Sequence, residues 1–265
     1  MPLPPPEGEG RQRPGTPATP RRWWRWTKWG VGLSLAWLLV AAPPPIWYRV
    51  AMPRETAFMA MQERWSGPAA ERLPDQRLYR PVPLEAIAPV MRRAVLIAED
   101  NRFYEHAGFD WVEIRRALGY PRDAFEWDNP RHRSDLLRAL RRSVTGAGGV
   151  RGASTLTQQL AKNLYLSPSR NPLRKVKEAM LAKRLEWSLP KDRILELYLN
   201  VAEFGPGIWG VEAASQAYFN KPAARLARTE AAALAALLPF PRLSNPAYRP
   251  ARMRARQAII LQRLR

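Results

Sequence analysis

The chain has 265 residues, of which 46% are hydrophobic, so it is long and apolar enough to form a globular domain. It contains no cysteine and only two histidines, which excludes disulfides, thiolate nucleophiles and cysteine-based metal sites. The formal net charge of +20 is compatible with three kinds of partner: nucleic acid, an anionic membrane surface, or an anionic substrate.

The first 48 residues differ in composition from the rest. Residues 1–28 are rich in proline, glycine and arginine, which predicts a disordered basic tail. Residues 29–48 contain no charge and have tryptophan near both ends, as expected of a helix that crosses a bilayer. Since basic residues flank the cytoplasmic end of such spans, we predict a cytoplasmic tail, a transmembrane anchor and an external domain at 49–265.

Helical spacing of apolar residues dominates the remainder of the chain, so the predicted fold class is mainly α. No strand pattern persists for more than a few residues. Residues 119–151 predict a polar, partly helical connection that ends in a glycine-rich loop. The predicted helices cover residues 89–98, 155–164, 172–189, 191–201, 210–219 and 229–238.

The first string that suggests chemistry is E-D-N-R-F-Y-E-H-A-G at residues 99–108. An apolar run leads into the adjacent carboxylates of Glu99 and Asp100, and His106 follows. A carboxylate beside an apolar helix end can act as a general acid or base. The alternative is an acidic surface cap with an incidental aromatic residue.

The second string is G-A-S-T-L-T-Q-Q-L-A-K-N at residues 152–163. If Ser154 opens a helix, the leucines form one stripe and Gln158 and Lys162 lie on roughly the opposite face. Such hydroxyl, amide and ammonium groups suit phosphates or sugar hydroxyls, although a solvated helix face is the alternative. The candidate residues are Ser154, Thr155, Gln158, Gln159, Lys162 and Asn163.

A third string places cations around Glu178, which would make a strong site for polyanions; the alternative is a solvated, self-paired basic helix, which is common. These cations are Arg170, Arg174, Lys175 and Lys177. A fourth string, K-D-R-I-L-E-L-Y-L-N at residues 191–200, is interpreted structurally: its apolar residues pack, and Asn200 ends the helix.

Together and in this order, the four strings resemble the peptidoglycan glycosyltransferases of lysozyme-like fold, which polymerise lipid II. The chain matches E-D-x-x-F-x-x-H-x-G, G-x-S-T-[IL]-x-Q-Q-x-x-K-N, R-K-x-x-E and K-x-x-I-L-E-x-Y-L-N. The resemblance covers about residues 75–250 and is greatest to the monofunctional, membrane-anchored form. It implies a two-lobed helical domain after a single transmembrane helix. The connection at 119–151 looks longer than in the family.

The resemblance also implies a reaction. The lipid-pyrophosphate-linked glycan chain is transferred to the 4-hydroxyl of lipid II with inversion, which forms a β-1,4 bond and releases polyprenyl diphosphate. By likeness, Glu99 is the base and Glu178 organises the donor side. Lys162 and Arg170 match the cations that contact the pyrophosphate. The other residues expected to bind substrate are Ser154, Thr155, Gln158, Gln159, Asn163, Arg174, Lys175 and His106.

The implied surroundings are a bacterial inner membrane with the catalytic domain on the periplasmic side. We expect no obligatory cofactor, and Mg²⁺ or Mn²⁺ at Glu178 is the one metal that the resemblance allows. The expected partners are lipid II, polyprenyl-pyrophosphate-linked glycan, the membrane and proteins of wall synthesis or cell division. An apolar part of the 119–150 region is expected to dip into the outer leaflet.

Two other functions fit parts of the sequence. A lytic transglycosylase or muramidase acts on the same polymer, but it has no need of the cations around Glu178. A membrane-tethered nucleic-acid-binding protein would account for the charge of +20, but the predicted topology places the basic domain outside the cytoplasm. We therefore expect no nucleic-acid partner.

Overall fold

The computed structural model describes residues 28–32, 45–64, 77–121, 126–144, 154–166 and 172–265. The described part is mainly helical, which confirms the predicted fold class at the level of secondary structure. Residues 28–32 are also helical. The longer helices are α1 (Ala57–Arg64), α2 (Pro89–Glu99), α3 (Trp111–Leu118), α4 (Pro130–Val144), α5 (Leu156–Tyr165), α6 (Pro172–Ser188), α7 (Lys191–Val201), α8 (Val211–Phe219), α9 (Arg228–Leu237) and α10 (Ala251–Arg263).

The chain forms two compact units, Met1–Ala42 and Pro43–Arg265. None of the helices in the described residues combines the length and apolar character that a membrane crossing requires. Most of the predicted tail and residues 33–44 of the predicted span lie outside the described residues. The transmembrane anchor therefore stays a prediction.

The segment Pro45–Arg49 forms a 3₁₀ turn within the second unit. Arg193 on α7 holds this turn against the domain. Its Nε donates to the carbonyl of Tyr48 at 2.6 Å, and its Nη2 donates to the carbonyl of Ala51 at 3.0 Å. The ring of Tyr48 also meets Tyr165 edge-on at 6.1 Å. Residues at the end of the predicted span thus pack on the domain, where prolines disfavour a continuing α-helix.

A small sheet joins distant parts of the sequence. Its strands β1 (Leu78–Tyr79), β2 (Glu203–Gly205) and β3 (Ile208–Trp209) lie in the order β1-β3-β2, with β1 parallel and β2 antiparallel to β3. Leu78 pairs with Ile208, and Glu203 pairs with Trp209. Strands of two or three residues are too short to show an alternating pattern in the sequence.

Asn200, the last residue of the fourth string, connects the sheet region to α7. Its side chain accepts from the amide of Val82 and donates to the carbonyl of Val82, both at 2.8 Å. Gly210 follows β3 with a φ of +83°, and a Cβ there would lie 2.5 Å from the carbonyl oxygen of Asn200. A glycine is therefore required where β3 passes α7.

The core lies between two groups of helices. α5 packs against α1, α6 and α7, whereas α9 packs against α2 and α10. The leucine stripe of α5 is buried as predicted, and so are the apolar residues of the fourth string. The structure also shows helix α4 within the predicted 119–151 connection, whereas residues 145–151 lie outside the described part.

The contacts of Arg193 predict where the folded domain begins. A variant that lacks residues 1–42 should unfold at the same temperature as the full chain. A variant that lacks residues 1–51 removes both carbonyl acceptors of a largely buried guanidinium and should lose about 2–3 kcal/mol of unfolding free energy. Urea unfolding in detergent measures the difference, and equal stability of the two variants would contradict the assigned packing.

Candidate active site

Glu99 is the last residue of α2, and only 9% of its side chain is exposed. One carboxylate oxygen accepts from Gln159 Nε2 and the other accepts from Arg256 Nη2, each at 2.9 Å. Gln159 is itself held by the hydroxyl of Tyr198, which donates to Gln159 Oε1 at 2.9 Å. The carboxylate is therefore held from two directions, by α5 and by α10.

The contacts of Asp100, the next residue, hold the fold together. Its carboxylate accepts the amide of Leu156 at 2.8 Å and lies 3.0 Å from His106 Nε2, which donates to it. These contacts tie the end of α2 to the start of α5. His106 thus supports Asp100, and its predicted contact with substrate stays a prediction.

Asp100, His106 and Asp110 are close enough to share a metal ion, and no other such group occurs among the described residues. Asp110 already accepts the amides of Val112 and Glu113 as the cap of α3. Because these oxygens are engaged in holding the fold, the group is best explained as structural. Glu178, the residue considered for a metal in the sequence, does not belong to it.

The start of α5 differs from the prediction that Ser154 opens the helix. Thr155 is the capping residue: its hydroxyl accepts the amide of Gln158 at 3.2 Å, and Gln158 Oε1 accepts the amide of Thr155 at 3.0 Å. This reciprocal pair forms because Gln158 lies three residues after Thr155. The hydroxyl of Ser154 instead accepts from Lys175 Nζ at 3.0 Å.

Glu178 lies on α6 with 3% of the residue exposed. Lys175 donates to its Oε1 at 2.5 Å and Arg174 donates to its Oε2 at 3.1 Å. The predicted pairing of this glutamate with neighbouring cations is therefore present. Arg170, the other cation predicted to contact pyrophosphate, lies outside the described residues.

Lys162 on α5 faces the same cluster. Burial lowers its pKa, the nearby Glu178 carboxylate opposes that effect, and the positive charges of Arg174 and Lys175 add to it. Its ammonium also lies 5.5 Å from the centre of the Phe58 ring. Since Gln159 and Lys162 are three residues apart, one face of α5 carries a contact to Glu99 and a cation near Glu178.

Two residues that the sequence analysis did not select lie beside this cluster. Glu203 on β2 accepts from Arg242 Nε at 2.6 Å. Burial raises the pKa of Glu203 to about 7, although Arg242 and, more weakly, Lys162 oppose the shift. Glu203 is thus a further carboxyl group within electrostatic reach of Lys162.

A cleft of about 850 Å³ opens beside Glu99. Glu99, Ser154 and Thr155 lie in its wall, so α2 and the start of α5 both face it. The lining is polar and carries both signs of charge, because four acidic residues (Glu99, Asp100, Asp110 and Glu113) and four arginines contribute to it. Its arginines are Arg93, Arg102, Arg116 and Arg263.

The structure brings most of the predicted residues into one region, with Gln158 and Asn163 buried in α5. It adds Arg256, which the sequence analysis missed because the resemblance was drawn only to about residue 250. A signal was present: Met253, Arg256 and Ile260 follow helical spacing, and Met253 and Ile260 are buried. An arginine on such a stripe points toward the interior rather than toward solvent.

Comparisons with known proteins identify the family. A family model described as transglycosylase matches residues 67–122 and 123–265. The chain is 40% identical over 221 residues to the biosynthetic peptidoglycan transglycosylase of Bordetella pertussis, covering 83% of each chain. The protein of the same name from Citrobacter koseri is 47% identical over 182 residues, which are 69% of this chain and 66% of the relative.

A third relative of that name, from Rhodospirillum centenum, is 40% identical over 231 residues, with 87% of this chain and 86% of the relative covered. The fold and the site thus define a helical enzyme with two buried glutamates of different surroundings. The chain belongs to the transglycosylase family.

The raised pKa of Glu203 predicts a pH-dependent stability. Between its usual value of 4.5 and about 7, the folded chain binds more protons than the unfolded chain, so the unfolding free energy falls as pH rises. Glu203→Gln removes this effect. Between pH 4.5 and 7.5, the wild type should lose about 3 kcal/mol more than the variant in urea unfolding.

Glu85→Gln is the matched control, because Glu85 is exposed and its substitution should leave the pH dependence of the wild type unchanged. Parallel pH profiles for the wild type and Glu203→Gln would show that Glu203 ionises alike in both states.

Proposed function

We propose that this chain polymerises the glycan strands of peptidoglycan by transferring a lipid-linked chain onto lipid II. Its transglycosylase family and relatives named biosynthetic peptidoglycan transglycosylase support this function. One observation carries the proposal: Glu99 has a neutral amide and one arginine as partners, whereas cations engage both oxygens of Glu178. The surroundings of Glu99 suit a base on the acceptor side of the reaction, and the cations around Glu178 suit a leaving anion on the donor side.

On the acceptor side, the Glu99 carboxylate removes the proton of the 4-hydroxyl of lipid II while that oxygen attacks the anomeric carbon of the donor. Both Glu99 oxygens keep a lone pair beyond the one used with Gln159 or Arg256, so the carboxylate can still accept the proton. The cleft beside Glu99 provides room for a sugar. Direct attack from this side inverts the anomeric configuration.

On the donor side, the bond between the anomeric carbon and the phosphate oxygen breaks, and the diphosphate leaves with the electron pair. Lys162, Arg174 and Lys175 stabilise this charge as it develops. Arg170 completes the set by resemblance to the family.

This arrangement supports turnover without an obligatory metal. Arg174 and Lys175 already engage both oxygens of Glu178, and they supply the positive charge that a divalent ion would bring. Mg²⁺ or Mn²⁺ at Glu178 would have to displace one of these side chains. We therefore expect added EDTA to lower polymerisation only slightly.

We also propose a lysozyme-like, two-lobed domain that faces the periplasm and is anchored in the bacterial inner membrane by the part of the predicted 29–48 span that precedes the packed turn at Pro45–Arg49. Large apolar side chains near α3 and α4 are exposed, namely Trp111, Trp127 and Leu137. Tryptophan is favoured at membrane surfaces, so this region is suited to contact the leaflet that holds the lipid-linked substrate. Other wall-synthesis or division proteins are candidate partners at the same membrane.

A lytic transglycosylase or muramidase would need a principal acid in a neutral sugar groove, and the cations around Glu178 disfavour it. The test is to incubate the purified full chain in detergent with labelled lipid II and, separately, with preformed glycan. We expect lipid II to be consumed and the glycan to keep its length. Shortened glycan together with unreacted lipid II would overturn the proposal.

Glu99→Gln should keep the shape of the side chain and remove the base. We expect polymerisation to fall about 10²- to 10⁴-fold, with lipid II binding retained. The rate of lipid II consumption and a binding titration measure the two effects.

The matched control is Glu105→Gln in the same acidic string. Its side chain is 62% exposed and paired with Arg102, so the variant should polymerise within twofold of the wild type. Loss of activity in Glu105→Gln but not in Glu99→Gln would show that the wrong carboxylate is assigned.

Lys162→Ala removes a preorganised cation from the donor side and should lower the polymerisation rate about 10²-fold. Arg225→Ala removes an exposed cation from the 3₁₀ turn Ala223–Arg225, outside the proposed site, and should leave the rate unchanged. Both variants are assayed with the same lipid II, and thermal unfolding checks their folding. Equal rates in the two variants would remove Lys162 from the leaving-group site.

A further inference from the structure

Arg256 reaches Glu99 from a helix near the end of the chain. Its Nη2 donates to the carbonyl of Ala98 at 2.7 Å and to Glu99 Oε1 at 2.9 Å. Met253 and Ile260 are buried on the same side of α10, so packing fixes the helix that presents the guanidinium. One quarter of the Arg256 side chain is exposed.

Arg256 both binds the end of α2 and contacts the side chain of Glu99. The carbonyl of Ala98 belongs to the last turn of α2, where carbonyls have no partner within the helix. A positive charge at this end also interacts favourably with the helix dipole. The same nitrogen that closes α2 therefore sets the position of the carboxylate on its last residue.

We propose that Arg256 is a positioning residue for the general base. It fixes Glu99 Oε1 while Gln159 fixes Oε2, and together they restrict rotation of the carboxylate about its last bond. This inference rests on the proposed role of Glu99 as the base.

Glu99 and Arg256 are 157 residues apart in sequence, and no other described cation makes an ion pair with Glu99. Without Arg256 the carboxylate keeps only the amide of Gln159. It can then rotate away from the acceptor hydroxyl, and misplacement by about 1 Å costs on the order of 10²-fold in rate. The loss falls on the chemical step, because Arg256 need not touch the substrate to act through Glu99.

The test compares Arg256→Met and Arg256→Lys with the wild type in steady-state lipid II polymerisation. Arg256→Met keeps the apolar bulk but removes the charge and donors, and we expect kcat to fall about 10- to 100-fold with KM within twofold. Arg256→Lys retains a charged donor and should recover several-fold of that kcat. Arg254→Ala, exposed on the same helix, should match the wild type.

A second comparison isolates the action through Glu99. In the Glu99→Gln background, Arg256→Met should cause less than twofold further loss, because the base that it positions is already absent. Thermal unfolding checks the variants, and if Arg256→Met fails to fold, Arg256→Lys is compared in both backgrounds. An equal loss in both backgrounds would indicate a general structural role and overturn the inference.

Three further kinetic results would contradict a positioning role for Arg256. Wild-type kcat in Arg256→Met, or a rise in KM alone, would contradict positioning, because a rise in KM alone would indicate that Arg256 contributes to substrate binding instead. No recovery in Arg256→Lys would contradict it as well. If the wild type itself leaves lipid II unreacted, the proposed function fails instead, so the two failures are distinguishable.

Discussion

The buried carboxylate of Asp100 joins the two elements on which the site depends. It ends α2 and accepts the first amide of α5, that of Leu156, while His106 supports it from the other side. Separating the two helices would leave a buried carboxylate and an amide without partners, at a cost of several kcal/mol. This contact therefore fixes Glu99, the preceding residue, relative to Gln159 one turn into α5.

The second half of the site depends on packing rather than on a single polar contact. α5 lies against α6 and α7, so Lys162 faces Glu178 and Tyr198 can hold Gln159. Because Gln159 and Lys162 share one face of α5, a single rigid helix spaces Glu99, the proposed base, from the cationic cluster. A reaction between two bound substrates benefits from such spacing, since neither group has to move into place.

The sequence predicted contacts that arise within one helix and missed those that need the fold. Glu178 with Arg174 and Lys175 follows from spacings of three and four residues, which any α-helix brings together. Glu99 with Arg256 needs α10 to pack on α2, and no local pattern encodes that pairing. Likewise β1 and β3 meet across well over a hundred residues, in strands too short to alternate.

The charges around Glu178 explain why a glutamate lies in the proposed site for an anionic leaving group. Burial lowers the pKa of Lys162, and the charges of Arg174 and Lys175 lower it further, whereas the Glu178 carboxylate raises it. Without a counter-charge, the three crowded cations would repel one another. Glu178 offsets this repulsion by pairing with Arg174 and Lys175, so the cations of the proposed diphosphate site are held together by a carboxylate of this chain.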